Sequence, residues 1–192
     1  MPFSLPYYRN ASQLPGPLPD LNEIERAART LPKRSDYGRR LVLIRDKYVV
    51  KYGLLVTKNK GYALIFVKEQ LNIAAPLLHT MYHKQDTLCI IMEYIPGISL
   101  GTVQPSLTKA NKNLILSFYL ACYLLSALRN YLPIFTHGDL YREKVLVKKV
   151  VNPVTNKEEY KVAAFVDWEM AGWYPSYWEY AHIFPLLQWI DD

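Results

Sequence analysis

Apolar residues recur along this chain in short runs separated by charged or proline-rich breaks, and the runs have two periods. Leu41 to Gly53, LVLIRDKYVVKYG, is two β-rich runs around Arg45-Asp46-Lys47 and predicts a hairpin with a charged turn. Leu77 to His83 and Leu88 to Tyr94 flank Lys84-Gln85-Asp86-Thr87 and predict a second hairpin, broken afterwards by Ile95-Pro96-Gly97. Between them, residues 58 to 71 put Leu64, Val67 and Leu71 on one face at helical spacing, so a helix is expected, with Gly61 weakening its first turn. VLVKKVV and YKVAAFV, joined by NPVTNKEE, predict a third pair of strands. The longest uncharged stretch, Asn113 to Leu128, has 16 residues, just short of a membrane span, and predicts a buried core helix. At the start, Pro2, Pro6, Pro15, Pro17 and Pro19 favour an extended arm over residues 1–20. Asp20 can then cap a short helix through LNEIERAART that stops at Leu31-Pro32.

The order is a mostly β first part and a helix-led second part, an α+β pattern. A hydrophobic fraction of 51% over 192 residues excludes a disordered chain and supports a real core. Cys89 and Cys122 both lie in apolar runs, so neither a disulfide scaffold nor a cysteine zinc site is expected, and a reducing cytoplasmic setting is. MPFSLPYYRN lacks the features of a signal peptide. The net charge of +6 is unevenly spread: eleven Lys/Arg lie between Arg26 and Lys60, whereas five acids and no Lys/Arg follow Lys161. That asymmetry suits a nucleic-acid face or a cleft with a phosphate-binding wall and an acidic wall. The basic segment has little aromatic interleaving and no nucleic-acid motif, so no nucleic-acid partner is expected.

Two carboxylates stand out. Asp139 lies in a polar loop before one strand of the third pair, and Asp167 follows the other, so the hairpin would bring both to neighbouring ends. One carboxylate to hold a metal and one to accept a proton is what phosphoryl transfer needs. Each alone is also ordinary turn chemistry. Lys51 is an ammonium in the apolar run VVKYG, pointing opposite to its immediate neighbours; it can reach a nucleotide phosphate, or it can be a solvated lysine on an edge strand. Glu93 to Ile95, at the end of CIIMEYIPG, can present backbone groups to a purine edge or form a plain turn.

Taken together these segments resemble the aminoglycoside phosphotransferase family, small-molecule kinases of protein-kinase-like fold that include choline-kinase-like enzymes. The resemblance rests on Thr136-His137-Gly138-Asp139-Leu140 with Val145-Leu146-Val147 behind it, on FVDWEMAGWYP from Phe165 to Pro175, and on Tyr177-Trp178-Glu179. VVKYG, MEYIPG and the opening LPYYRNASQLPGPLP extend it over most of the chain. It implies a Pro-rich arm over 1–20, a β-rich N-terminal lobe over 21–96 and a reduced, mainly helical C-terminal lobe over 97–192. It further implies ATP and Mg²⁺ as cofactors and a small-molecule hydroxyl as phosphoryl acceptor. Lys51 would bind the α- and β-phosphates, Glu93 to Ile95 would form the adenine hinge, Asp139 would be the catalytic base and Asp167 would hold Mg²⁺, with Glu169 supporting. Trp168, Trp173, Trp178 and Trp189 are expected to pack the second lobe.

The sequence departs from the family pattern at chemically critical places. Where the catalytic loop H-G-D-x-x-x-x-N ends in a metal-binding amide, this chain has Lys144, which cannot ligate Mg²⁺ while protonated. Where the helix glutamate would pair with Lys51 it has Lys60, and two ammonium groups about 4 Å apart repel by roughly 4 kcal/mol at an effective dielectric of about 20. Glu69 is too far along the helix to substitute. Only Gly38 precedes Lys51 closely enough to serve as a phosphate-loop glycine. The spans from Glu93 to His137 and beyond Asp167 are shorter than those in which the family carries its acceptor-pocket helices, which leaves a truncated or differently spliced product open and predicts exposed apolar surface, with either a protein partner to cover it or poor solubility. Two readings follow: an ATP-dependent kinase, or a catalytically inactive pseudokinase acting as a binding or interaction module.

Overall fold

The computed structural model describes residues 4–27, 38–107, 132–156 and 158–179. The buried helix expected at Asn113 to Leu128, Cys122, Leu31-Pro32 and Trp189 lie outside them; the short helix expected to run through Thr30 to a stop at Leu31-Pro32 ends earlier, at Arg26, where the backbone of Ala27 leaves the helical region. The chain divides into two compact units, Met1–Ile95 and Pro96–Asp192.

In the first unit a sheet runs in the order β1 (Tyr7–Tyr8), β4 (Leu78–Lys84), β5 (Thr87–Glu93), β3 (Tyr48–Gly53) and β2 (Arg40–Ile44), all pairs antiparallel. Both predicted hairpins are present. The first turns through Arg45 and Asp46 at positive φ, a conformation that short polar residues such as Asp tolerate better than most. One face of the sheet carries Val42, Ile44, Tyr48, Val50, Cys89 and Ile91 with Ile24 of α1 (Leu21–Arg26), and Leu18, Tyr52 and Tyr82 pack around them. The side chain of Asp20 caps α1 as expected, accepting from the Glu23 amide at 2.8 Å.

The proline-rich arm is extended, and it lies on the sheet. Tyr7–Tyr8 pair with β4, the Arg9 amide donates to His79 O at 2.8 Å, and Tyr48 Oη donates to Gly16 O at 2.6 Å.

α2 (Lys58–Glu69) packs on the other face through Lys60, Gly61, Ala63, Leu64 and Val67, the i, i+3, i+4, i+7 stripe of a helix lying on a sheet. Gly61 makes room there: a Cβ would stand 2.5 Å from Met81 Sδ and push that side chain aside, so the residue that weakens the helix eases its approach to β4. Leu71, predicted to share this face, falls beyond the last turn and is exposed.

The second unit is built from two strand pairs that share their loops. β7 (Pro133–Thr136) pairs with β10 (Gly172–Pro175), and β8 (Val145–Val151) pairs with β9 (Glu158–Phe165) as predicted. β6 (Ile98–Ser99) adds to the β8 edge and leads into α3 (Leu100–Val103). The loop from β7 to β8 carries Asp139 and the loop from β9 to β10 carries Asp167. Thr136 pairs with Gly172 and Val145 pairs with Phe165, so both ends of both loops are pinned together. Burial follows the same logic: Val145, Val147, Ala164 and Phe165 at the hairpin base are buried, and Val154 at its tip is 91% exposed.

The indole packing expected of the second lobe holds for Trp168, buried with Nε1 donating to Phe165 O at 2.8 Å, and for Trp178, stacked on Tyr174. Trp173 departs from it: edge-on to Phe135, it is two-thirds exposed because alternation along β10 turns it outward.

Candidate active site

Lys51 lies in β3 between β5 and β2, so it is not on an edge, and it is buried. Its neighbours Val50 and Tyr52 face the α1 side, which turns Lys51 to the face that carries α2. The register confirms this: Lys51 pairs with Ile90 and Ile90 with Met81, the residue against which Gly61 rests. Lys60, next to Gly61, is buried on the same side. The solvated edge lysine is thereby excluded, and two buried lysines belong to one side of the sheet. Glu69 is engaged elsewhere, with Arg9 at 3.1 Å.

Glu93 ends β5, and its groups are spent locally. Its Oε2 accepts from the Leu77 amide at 3.0 Å, its own amide donates to Leu77 O at 2.9 Å, and the Tyr94 amide donates to Lys47 O at 2.9 Å. The carboxylate braces the strand end, and Ile95 follows as the last residue of the unit, half-buried. Gly38, at φ 91°, lies against the end of β3, where its carbonyl accepts from the Leu55 amide at 3.4 Å.

In the second unit the paired loops bring Asp139 and Asp167 to one place, as the hairpin predicts, and both converge on Lys144. Lys144 Nζ hydrogen-bonds Asp167 Oδ2 and stands 3.5 Å from Asp139 Oδ2. The root of this side chain is fixed on both sides, because the Lys144 amide donates to Tyr141 O at 2.8 Å and its carbonyl accepts from the Val166 amide at 2.9 Å. The lysine side chain is 8% exposed, against 30% for Asp167 and 44% for Asp139. Burial opposes its charge, but the Asp167 hydrogen bond and the attraction of Asp167, Tyr141 and Asp139 outweigh burial and hold its pKa above the ordinary lysine value. The ammonium also stands 5.1 Å from the centre of the Tyr141 ring.

Asp167 sits at φ 72°, in the left-handed region that costs a non-glycine residue free energy, immediately before the 3₁₀ turn Trp168–Met170 that holds Glu169. Gly138 is likewise left-handed at φ 80°, and a Cβ there would stand 2.1 Å from Met170 O, so only glycine lets the two loops touch. His137 is buried, with Nε2 on Val166 O at 2.9 Å and its ring beside Trp168. Burial depresses its pKa more than the Val166 carbonyl raises it, so it is a neutral tie between the loops.

Two groups whose roles the sequence reading did not assign complete the clamp. Glu179 Oε1 accepts from the Gly138 amide at 2.5 Å, and Trp178 Nε1 donates to Gly138 O at 3.3 Å. The motif Tyr177-Trp178-Glu179 carried the signal, but only the fold shows that it grips Gly138.

The donor set does not fit a divalent cation. The two carboxylates already face an ammonium, and among the described residues no group of three His, Cys, Asp or Glu side chains could hold a metal ion.

No family model matches the chain, and no curated protein matches it. Solved structures do. An aminoglycoside 2'-phosphotransferase-IIIa, solved as its GDP complex, is 9% identical over 82% of this chain and 71% of its own, with a TM-score of 0.50. Monomeric WbdD is 15% identical over 79% of this chain and 37% of its own, also at 0.50. A solved kinase domain is 20% identical over 76% of this chain at a TM-score of 0.42, and the chain spans 50% of that domain's length. The fold is therefore α+β and protein-kinase-like. Among the described residues no helix is long and apolar enough to cross a membrane.

Proposed function

We propose that this chain is a nucleotide-binding, phosphotransferase-like protein of the aminoglycoside phosphotransferase kind that has lost transfer and acts as a pseudokinase, a binding or interaction module. The observation that carries this reading is the convergence of Asp139 and Asp167 on the buried Lys144 within a kinase-like fold. In an active relative of this arrangement, Asp139 would accept the proton of a small-molecule hydroxyl and Asp167 would hold the Mg²⁺ of MgATP. Here Asp167 is bonded to an ammonium, which supplies one positive charge where a divalent ion supplies two. Nucleotide contacts fall to the first unit, with Lys51 on phosphate oxygens and the chain at Glu93 to Ile95 beside the base. The partners in this reading are a nucleotide, in a cytoplasmic setting, and a protein that covers exposed side chains such as Trp173, Met170 and Tyr177.

The test is calorimetric titration of the full chain with a non-hydrolysable ATP analogue, once with Mg²⁺ and once with a chelator. Binding of similar strength in both, lost in Lys51→Ala, is expected. Tight binding that requires Mg²⁺ and disappears in Asp167→Ala would return the chain to the active kinases, and no binding in either condition would remove the nucleotide from the reading.

A further inference from the structure

Asp139, Asp167 and Lys144 form a charge set in the second unit: two carboxylates on one buried ammonium. We propose that Lys144 is a built-in cation that occupies the place of a divalent metal ion, so that the acidic pair takes no Mg²⁺ or Mn²⁺ and any phosphate-bearing ligand is bound without one. The ligand clause rests on the proposed function; the metal clause stands on geometry alone.

Three features support it. The ammonium touches the oxygens a metal would use, since it is hydrogen-bonded to Asp167 Oδ2 and 3.5 Å from Asp139 Oδ2. It has little freedom to leave. Its backbone amide and carbonyl are tied to Tyr141 and Val166, and its side chain is 8% exposed, so retreat would carry a charged group through packed surroundings. A divalent ion entering beside it would meet a like charge at contact distance. The left-handed backbone of Asp167 and the Gly138 clamp fix the loops that carry the two carboxylates beside the ammonium.

The test is a titration of the full chain with Mn²⁺ alone, read by the paramagnetic relaxation of solvent water. The wild-type chain is expected to show no saturable binding in the millimolar range. Lys144→Asn, which removes the charge and supplies a carbonyl oxygen, is expected to gain saturable binding, and Lys144→Asn combined with Asp167→Asn is expected to lose it again. Lys144→Met, neutral and of similar length, guards against misfolding of the first variant and is expected to bind Mn²⁺ more weakly than Lys144→Asn but measurably. Wild-type binding abolished by Asp167→Asn would overturn the proposal, because the ammonium would then be stepping aside. Folded Lys144→Asn and Lys144→Met chains that both ignore Mn²⁺ would overturn it equally, because the lysine would not be what keeps the metal out. Failure of nucleotide binding leaves this result untouched, so the two readings fail separately.

Discussion

At the scale of single residues, charge and burial decide what each group does. Lys144 keeps its proton because the carboxylates offset the cost of burial, and removing the ammonium leaves two like charges facing one another. Lys144→Met is therefore expected to lower the stability of the second unit by about 1–3 kcal/mol, less than for a fully buried pair because Asp139 and Asp167 reach water. Chemical denaturation followed by tryptophan fluorescence reads this directly. His79 makes the opposite case. It is the extra residue where the register of β4 on β5 shifts between Leu78 and Thr80, it is buried edge-on to Tyr48, and neither ring nitrogen has a hydrogen-bond partner among the described residues. Burial lowers its pKa, Glu93 opposes that shift and Arg9 adds to it, so the folded chain holds His79 neutral. The unfolded chain takes up a proton near the ordinary value of 6.5 that the folded chain refuses, so stability is full above that pH and falls as the pH drops below it. Thermal unfolding midpoints should decline on acidification through that range, and His79→Phe should flatten the decline; an unchanged slope would assign the acid sensitivity to other groups such as His137, whose pKa is shifted the same way.

At the scale of elements, local rules explain most of what forms. Replacing Asp20 with Ala removes the cap on the Glu23 amide and is expected to destabilise the first unit by about 1 kcal/mol, measurable as a shift in its denaturation midpoint. Gly138→Ala is expected to do more to the second unit, because the new Cβ meets the backbone carbonyl of Met170 and the backbone must also leave φ 80°. The three hairpins, α2 and the cap of α1 were legible from alternation, helical spacing and turn chemistry, since each depends on residues within a few positions of one another. What the sequence did not show depends on pairing across the chain. The extended arm was readable from its prolines, but its place on β4 depends on a strand some seventy residues away. The convergence of Asp139 and Asp167 was readable because the β8–β9 hairpin lies between them, whereas the grip of Glu179 on Gly138 spans two loops and leaves no local period. Lys144 was visible as a departure from the motif, but its position between the carboxylates needed the register of both strand pairs.

At the scale of the whole molecule, the two departures from kinase chemistry fall in different units. Lys60 lies beside the sheet of the first and Lys144 between the carboxylates of the second. Each adds positive charge where the kinase pattern has an anion or a neutral metal ligand, and each acts on a different requirement. Lys60 is a cation at the helix position where the pattern has a carboxylate, while Lys144 Nζ lies on the two carboxylates that the proposal above gives to a metal. Correcting one requirement cannot supply the other. Lys144→Asn alone is expected to bind metal without gaining affinity for nucleotide, since Lys51 still has Lys60 on its side of the sheet. Lys60→Glu alone is expected to leave nucleotide binding indifferent to Mg²⁺. The double variant should show the two changes independently, metal binding as in Lys144→Asn and nucleotide binding as in Lys60→Glu, with an interaction free energy below about 0.5 kcal/mol. Calorimetry on the four chains in both conditions measures that interaction. A Mg²⁺ dependence already present in either single variant would show that the two units do not each withhold a separate part of the chemistry.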